Sequence, residues 1–113
     1  MATLKQCRAI VDELTAKYNA TDAAARKKHI PDRTVELTIL DLDTSFRGRL
    51  VGGDLVDVIE THAGPKPNVR VVLSSDDLVD LTNGDLKFAA AWASGRVRLD
   101  ASLRDLLRLR GLF

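Results

Sequence analysis

Residues 69–99 read V-R-V-V-L-S-S-D-D-L-V-D-L-T-N-G-D-L-K-F-A-A-A-W-A-S-G-R-V-R-L, and few folds accommodate that order. Val69, Val71 and Leu73 alternate with other residues, as in a strand with one buried face. A serine–aspartate run then opens a helix that Gly84 closes, and a second, alanine-rich helix ends at Gly95. The chain returns as a second alternating strand, Arg96-Val97-Arg98-Leu99. Nothing in this stretch has the neighbours that a nucleophile, an acid–base pair or a metal ligand requires. It specifies a layered apolar interior, two short helices over a sheet, which points to binding rather than chemistry.

Upstream, Leu4, Cys7, Val11, Leu14 and Tyr18 fall on one side of a helix predicted over residues 3–18, with Asn19 as its stop. Thr21 and Asp22 cap a second short helix, which Pro31 prevents from extending. From Thr34 the period changes to two. Strands are expected over 34–42, 46–50 and 55–61, joined by turns at Asp43-Thr44-Ser45 and Gly52-Gly53-Asp54, which makes an antiparallel meander. The run Gly64-Pro65-Lys66-Pro67-Asn68 is a rigid connection to the fourth strand. After the fifth strand, Ser102 caps a last helix, with Leu103, Leu106, Leu107, Leu109, Leu112 and Phe113 making that end very apolar. The layout predicts an α+β fold: a five-stranded, mainly antiparallel sheet with helices packed on one face, and an extra N-terminal helical segment. A length of 113 residues predicts a single domain, residues 1–113, with 1–33 as the helical extension and 34–113 as the core.

Charge and composition narrow the function classes. Seventeen Lys+Arg against 16 Asp+Glu give a net charge of +1, so no global nucleic-acid signal exists, and few aromatics are available to interleave with arginines. The start lacks the apolar core of a secretion signal, no run reaches the roughly 18 apolar residues of a spanning helix, and the end is not Ser-Lys-Leu. With its single cysteine, Cys7, the chain is expected in the cytoplasm.

Candidate chemistry is sparse. His29 and His62 lie in different segments without a second ligand near either, and read as surface histidines. Cys7, on the apolar stripe, reads as a small buried hydrophobe. Gly52-Gly53-Asp54 lacks a phosphate loop's pattern and is a hairpin turn. Asp76, Asp77 and Asp80 suit the first turn of a helix facing water. Two basic sets stand out: Arg26, Lys27, Lys28 and Arg33, and Arg96, Arg98, Arg104, Arg108 and Arg110. Two readings stay open for them, a solvated face or transient contact with an anionic membrane surface.

The apolar set within the same stretch carries a resemblance. Asp77-Leu78, Leu81, Gly84, Leu86, Ala90 or Ala91, Trp92, Gly95 and Arg96-Val97-Arg98-Leu99 resemble the C-terminal signature of the sterol carrier protein 2 family. The order of elements also fits from Thr34 to Leu109, and the chain is similar to the small stand-alone bacterial type. The resemblance implies a non-enzymatic module without cofactor that binds, and can transfer, an apolar lipid (sterol, fatty acid, acyl-CoA or phospholipid) in a tunnel between helices and sheet. Leu78, Leu81, Phe88 and Trp92 are the expected wall, and Leu103, Leu106 and Leu107 the expected wall and lid. No metal and no nucleic acid are expected, and the chain is either monomer or homodimer. The competing expectation is a protein-interaction module with a filled core that dimerises or docks through the first helix.

Overall fold

The computed structural model of this chain describes residues 2–20, 32–62 and 64–105. Helix α1 spans Leu4–Asn19. Thr3 caps it: its hydroxyl accepts the Gln6 N–H at 3.1 Å, and the Gln6 side-chain oxygen accepts the Thr3 N–H at 2.8 Å. The predicted stripe points inward, with Cys7 and Val11 in the hydrophobic core beside Ile39, Phe46, Leu73, Leu78, Ala91 and Val97. Burial, followed by the carboxylates of Asp41 and Asp76, pushes the Cys7 thiol pKa up, so this sulfur is a hydrophobe rather than a nucleophile. The far end of α1 is pinned as well. Asn19 exchanges two 2.9 Å hydrogen bonds with the backbone of Leu55, and Tyr18 Oη donates to the Gly53 carbonyl at 2.9 Å. The segment predicted as a second helix, 21–28, lies outside the described residues.

Strands β1 (Arg33–Ile39), β2 (Thr44–Val51) and β3 (Asp54–Thr61) form the predicted meander. Gly52 and Gly53 both take positive φ, 58° and 85°, as a two-residue hairpin turn requires. β4 (Val69–Leu73) pairs in parallel with β1, and β5 (Arg98–Ala101) pairs antiparallel with β4. The sheet order is β3-β2-β1-β4-β5. Helices α2 (Ser75–Asn83) and α3 (Phe88–Ser94) stop at Gly84 and Gly95, both in the left-handed conformation. β5 starts two residues later than the alternation of 96–99 predicts, because the preceding residues are otherwise engaged. The Val97 N–H bonds the Ala91 carbonyl at 3.1 Å, and the Arg96 guanidinium grips Asp77. Asp77 is therefore ion-paired rather than turned to water. Residues 103–105 are helical, capped by the Ser102 hydroxyl accepting the Asp105 N–H at 3.2 Å.

Between β1 and β2 the chain makes a 3₁₀ turn, Leu40–Leu42, where alternation predicted continued strand and a simple turn. Its Asp41 carboxylate accepts both the backbone N–H and the hydroxyl of Ser75, at 2.8 and 2.5 Å, and the Ser75 hydroxyl accepts the Ala2 N–H at 3.1 Å. One carboxylate thus joins the sheet to the starts of α1 and α2. The Ser75 hydrogen bond is the largest cause holding the Asp41 pKa below its ordinary value. A lowered carboxylate pKa contributes stability above the unfolded value, about 3.9, and that contribution is lost as pH falls through the folded value. Asp41→Asn is expected to cost about 1 kcal/mol in urea melts at neutral pH, less than the roughly 1.5–3 kcal/mol of charged hydrogen bonds because the carboxylate is solvent-accessible. The gap to the unaltered protein should close below about pH 3.9; a gap constant with pH would show that the charge contributes nothing.

Candidate functional site

The helix-facing side of the sheet is apolar by register: Val35 faces Gly48, Leu37 faces Phe46 and Val71, and Ile39 faces Leu73. On β3 a bulge breaks the alternation. Arg47 pairs with Ile59 but Arg49 with Val56, so β3 carries one extra residue, and Asp57 takes φ 54° to absorb it. The bulge turns Leu55 and Val58 to the same side. Gly48 makes room for them: a Cβ there would lie 2.9 Å from Leu55 Cδ1 and 3.1 Å from Val58 Cγ2.

Two apolar cavities lie over this face. One, about 290 Å³, is bounded by α1 and β1–β3 and lined by Val11, Leu14, Phe46, Leu55 and Val58 among others. The other, about 610 Å³, lies under α2 and α3 and is lined by Leu73, Leu78, Leu81, Leu86 and Phe88. Leu14, Leu37 and Val71 line both, so the two adjoin. The hydroxyls at their walls are spent on the protein: Thr15 donates to Val11 O and Thr82 to Val79 O, each at 2.8 Å, and Tyr18 to Gly53 O. Lys87 is the one cation on the wall of the larger cavity. A lining of this kind offers hydrocarbon contact and little polar recognition.

Of the residues expected at a lipid site, Leu78, Leu81 and Phe88 stand in the larger cavity wall. Trp92 stacks behind it, its ring 6.4 Å from that of Phe88 and tilted by 54°. Leu103 is 73% exposed and lines neither cavity, while Leu106 and Leu107 lie outside the described residues. Sequence reading missed Leu14, Leu37 and Leu86 as wall residues. The first two carried a signal, being apolar at the right period on α1 and β1, but nothing in one sequence says which inward residues meet space rather than packing. The basic sets are partly neutralised: Arg33 pairs with Asp105 at 3.2 Å, Arg96 with Asp77, and Arg98 with Asp100 at 3.5 Å. No group of His, Cys, Asp and Glu able to hold a metal exists among the described residues, and no described helix is long and apolar enough to cross a membrane.

Solved structures share this arrangement. The crystal structure of sterol carrier protein 2 superposes with a TM-score of 0.66 at 12% identity, over 88% of this chain and 82% of that one. The palmitated sterol carrier protein 2-like 2 of Aedes aegypti matches with a TM-score of 0.66 at 18% identity, covering 91% and 89%. This is the sterol carrier protein 2 fold. The stereoselective inverting sec-alkylsulfatase of a Pseudomonas species contains the same fold, with 26% identity and a TM-score of 0.60 over 81% of this chain. This chain spans only 14% of that sulfatase's length. No family model matches the sequence. No curated protein matches it either.

Proposed function

We propose that this sterol carrier fold binds an apolar lipid in its paired cavities without acting on it chemically. The observation that carries the reading is the larger cavity, about 610 Å³ and walled by leucines and Phe88. Its size lies within the range of small-molecule sites. The palmitated state of the Aedes aegypti neighbour supports an acyl chain as one class of occupant. An apolar ligand of about 27 heavy atoms at about −0.3 kcal/mol each would bind near 1 μM, weak enough for release. Leu78, Leu81 and Phe88 contact the ligand, and Trp92 reports on it through Phe88.

The test is a titration with a fluorescent fatty-acid or sterol analogue, following Trp92 emission. Saturable quenching in the micromolar range, reversed by unlabelled lipid, is the expected result. An unresponsive Trp92 together with no lipid in an organic extract of the purified protein would rule the reading out.

The sulfatase match favours a second reading, in which such a module offers alkyl chains to a catalytic partner. Lipid release accelerated by a co-purified hydrolase would distinguish it from a free carrier. The dimerisation reading is the weaker one, because Cys7 and Val11 of the face that would dock are already buried in the core.

A further inference from the structure

The face of the sheet turned away from the helices carries charges that a lipid site does not use. Glu36 stands opposite Arg47 on β2 and opposite Arg70 on β4, and Arg70 stands opposite Asp100 on β5. The Glu36 side chain is only 9% exposed, and its carboxylate serves two guanidiniums unequally: Arg47 at 3.2 Å, Arg70 at 3.6 Å. Arg47 has two acceptors, since it also donates to the Pro65 carbonyl of the connection that crosses this face, and its Nε–H is hydrogen-bonded to Glu36. The Nε–H of Arg70 is buried without a hydrogen-bond partner, and its closest carboxylate lies beyond hydrogen-bond length. A buried, charged donor left unmade is costly, so an acceptor toward which the Arg70 guanidinium can turn is favoured.

Space for that acceptor is present. A cavity of about 280 Å³ opens beside Arg70, lined also by Arg98, Thr38, Ser45, His62 and Gly64. Arg98 pairs with Val72, which places its guanidinium diagonally across from Arg70 on the same face, about 7–8 Å away at the backbone. Its only close carboxylate among the described residues is Asp100, at 3.5 Å. The Thr38 and Ser45 hydroxyls share one hydrogen bond of 2.9 Å, so one of their two protons remains to donate outward. The His62 Nδ1 is taken up by the Asp43 carbonyl at 3.2 Å. Glu36 and Asp43 also border the cavity. On the cavity wall Arg70 and Arg98 match Glu36 and Asp43 in number, so recognition here rests on the guanidinium forks and the hydroxyls rather than on net charge.

We propose that this second cavity binds a phosphate group, with the Arg70 guanidinium as anchoring donor, Arg98 as the second guanidinium and a hydroxyl of the Thr38–Ser45 pair completing the set. A guanidinium presents a planar fork that matches phosphate oxygens, which an ammonium does not. The cavity lies across the sheet from the apolar pair, so the proposal stands or falls apart from lipid binding.

The experiment titrates the purified protein with inorganic phosphate at constant ionic strength, with chloride as the control, and reads the melting temperature. A saturable rise with phosphate alone is expected, as for any ligand that binds only the native state. Arg70→Lys keeps the charge but loses the fork and should weaken the response at least tenfold. Arg98→Gln alters an exposed edge residue and should weaken it several-fold, which keeps the test open if Arg70→Lys fails to fold. Flotation with phosphatidylcholine vesicles, with and without phosphatidate, separates the sources. A response to phosphate alone assigns free phosphate; added capture by phosphatidate vesicles that Arg98→Gln reduces assigns a lipid headgroup. An equal response to chloride, or a phosphate response undiminished by Arg98→Gln, would overturn the proposal.

Discussion

Leu14→Trp is expected to weaken uptake of a fluorescent lipid analogue at least tenfold, read from the probe's own emission, while leaving the fold in place. Leu14 lines both apolar cavities, as do only Leu37 and Val71 among the described residues. It is also the most accessible of them, at 42% exposure, on the helix rather than the sheet. An indole there extends into space instead of into packed atoms, so the usual cost of overpacking, about 1–3 kcal/mol, should be largely avoided. The helix keeps its other anchors: Cys7 and Val11 in the core, Tyr18 on Gly53 and Asn19 on Leu55. A tenfold loss corresponds to about 1.4 kcal/mol of binding free energy, which the displacement of a few ligand methylenes supplies. Glu13→Trp, one residue away on the exposed side of α1, serves as the control and should bind as the unaltered protein does. Unchanged binding by Leu14→Trp would mean that ligand does not pass between the two cavities.

Much of this architecture was legible because its signals are local. Ser74 at a helix start, glycines at Gly84 and Gly95, and the paired glycines Gly52 and Gly53 each satisfy a backbone requirement within a few residues. What stayed hidden depends on partners far along the chain. The parallel pairing of β1 with β4 follows from no periodicity, since an antiparallel partner would show the same alternation on Val69, Val71 and Leu73. Asp41 reads as the end of a strand until Ser75, 34 positions on, is found donating to it twice. The bulge at Asp57 puts Leu55 and Val58 on one face, where strict alternation assigns them to opposite faces. Glu36, Arg47 and Arg70 look like solvated strand residues one by one, and become a partly buried charge cluster only when the register sets them in a row. The cavity was the least legible feature: the leucines that bound it are the same residue type, at the same spacing, as those of a filled core.

Ile39→Ala and Phe88→Ala should therefore separate packed core from cavity wall. Ile39 is fully buried at the end of β1, between Thr44 on β2 and Leu73 on β4, and lines neither cavity. Truncating it leaves a closed void, for which about 2–5 kcal/mol is the expected cost. At about 4–8 °C per kcal/mol for a domain near this size, the melting temperature should fall by at least roughly 8 °C. Phe88 is larger, and in a filled interior its truncation would cost about 3–5 kcal/mol. Here it is half-buried and borders a cavity that already exists, so less apolar area returns to water and little new void forms. A cost of about 1–2 kcal/mol is expected instead, accompanied by a clear change in lipid affinity, because the ring is part of the wall and the platform on which Trp92 stacks. The order of the two effects is the informative result, since it inverts what side-chain size alone dictates. Ile39→Val, expected to cost about 0.5–1.5 kcal/mol, gives a measurable point on the same scale if the alanine variant does not fold. If Phe88→Ala proves as destabilising as Ile39→Ala and leaves lipid affinity untouched, the space beneath α2 and α3 is core, and the carrier reading fails at the larger of its two cavities.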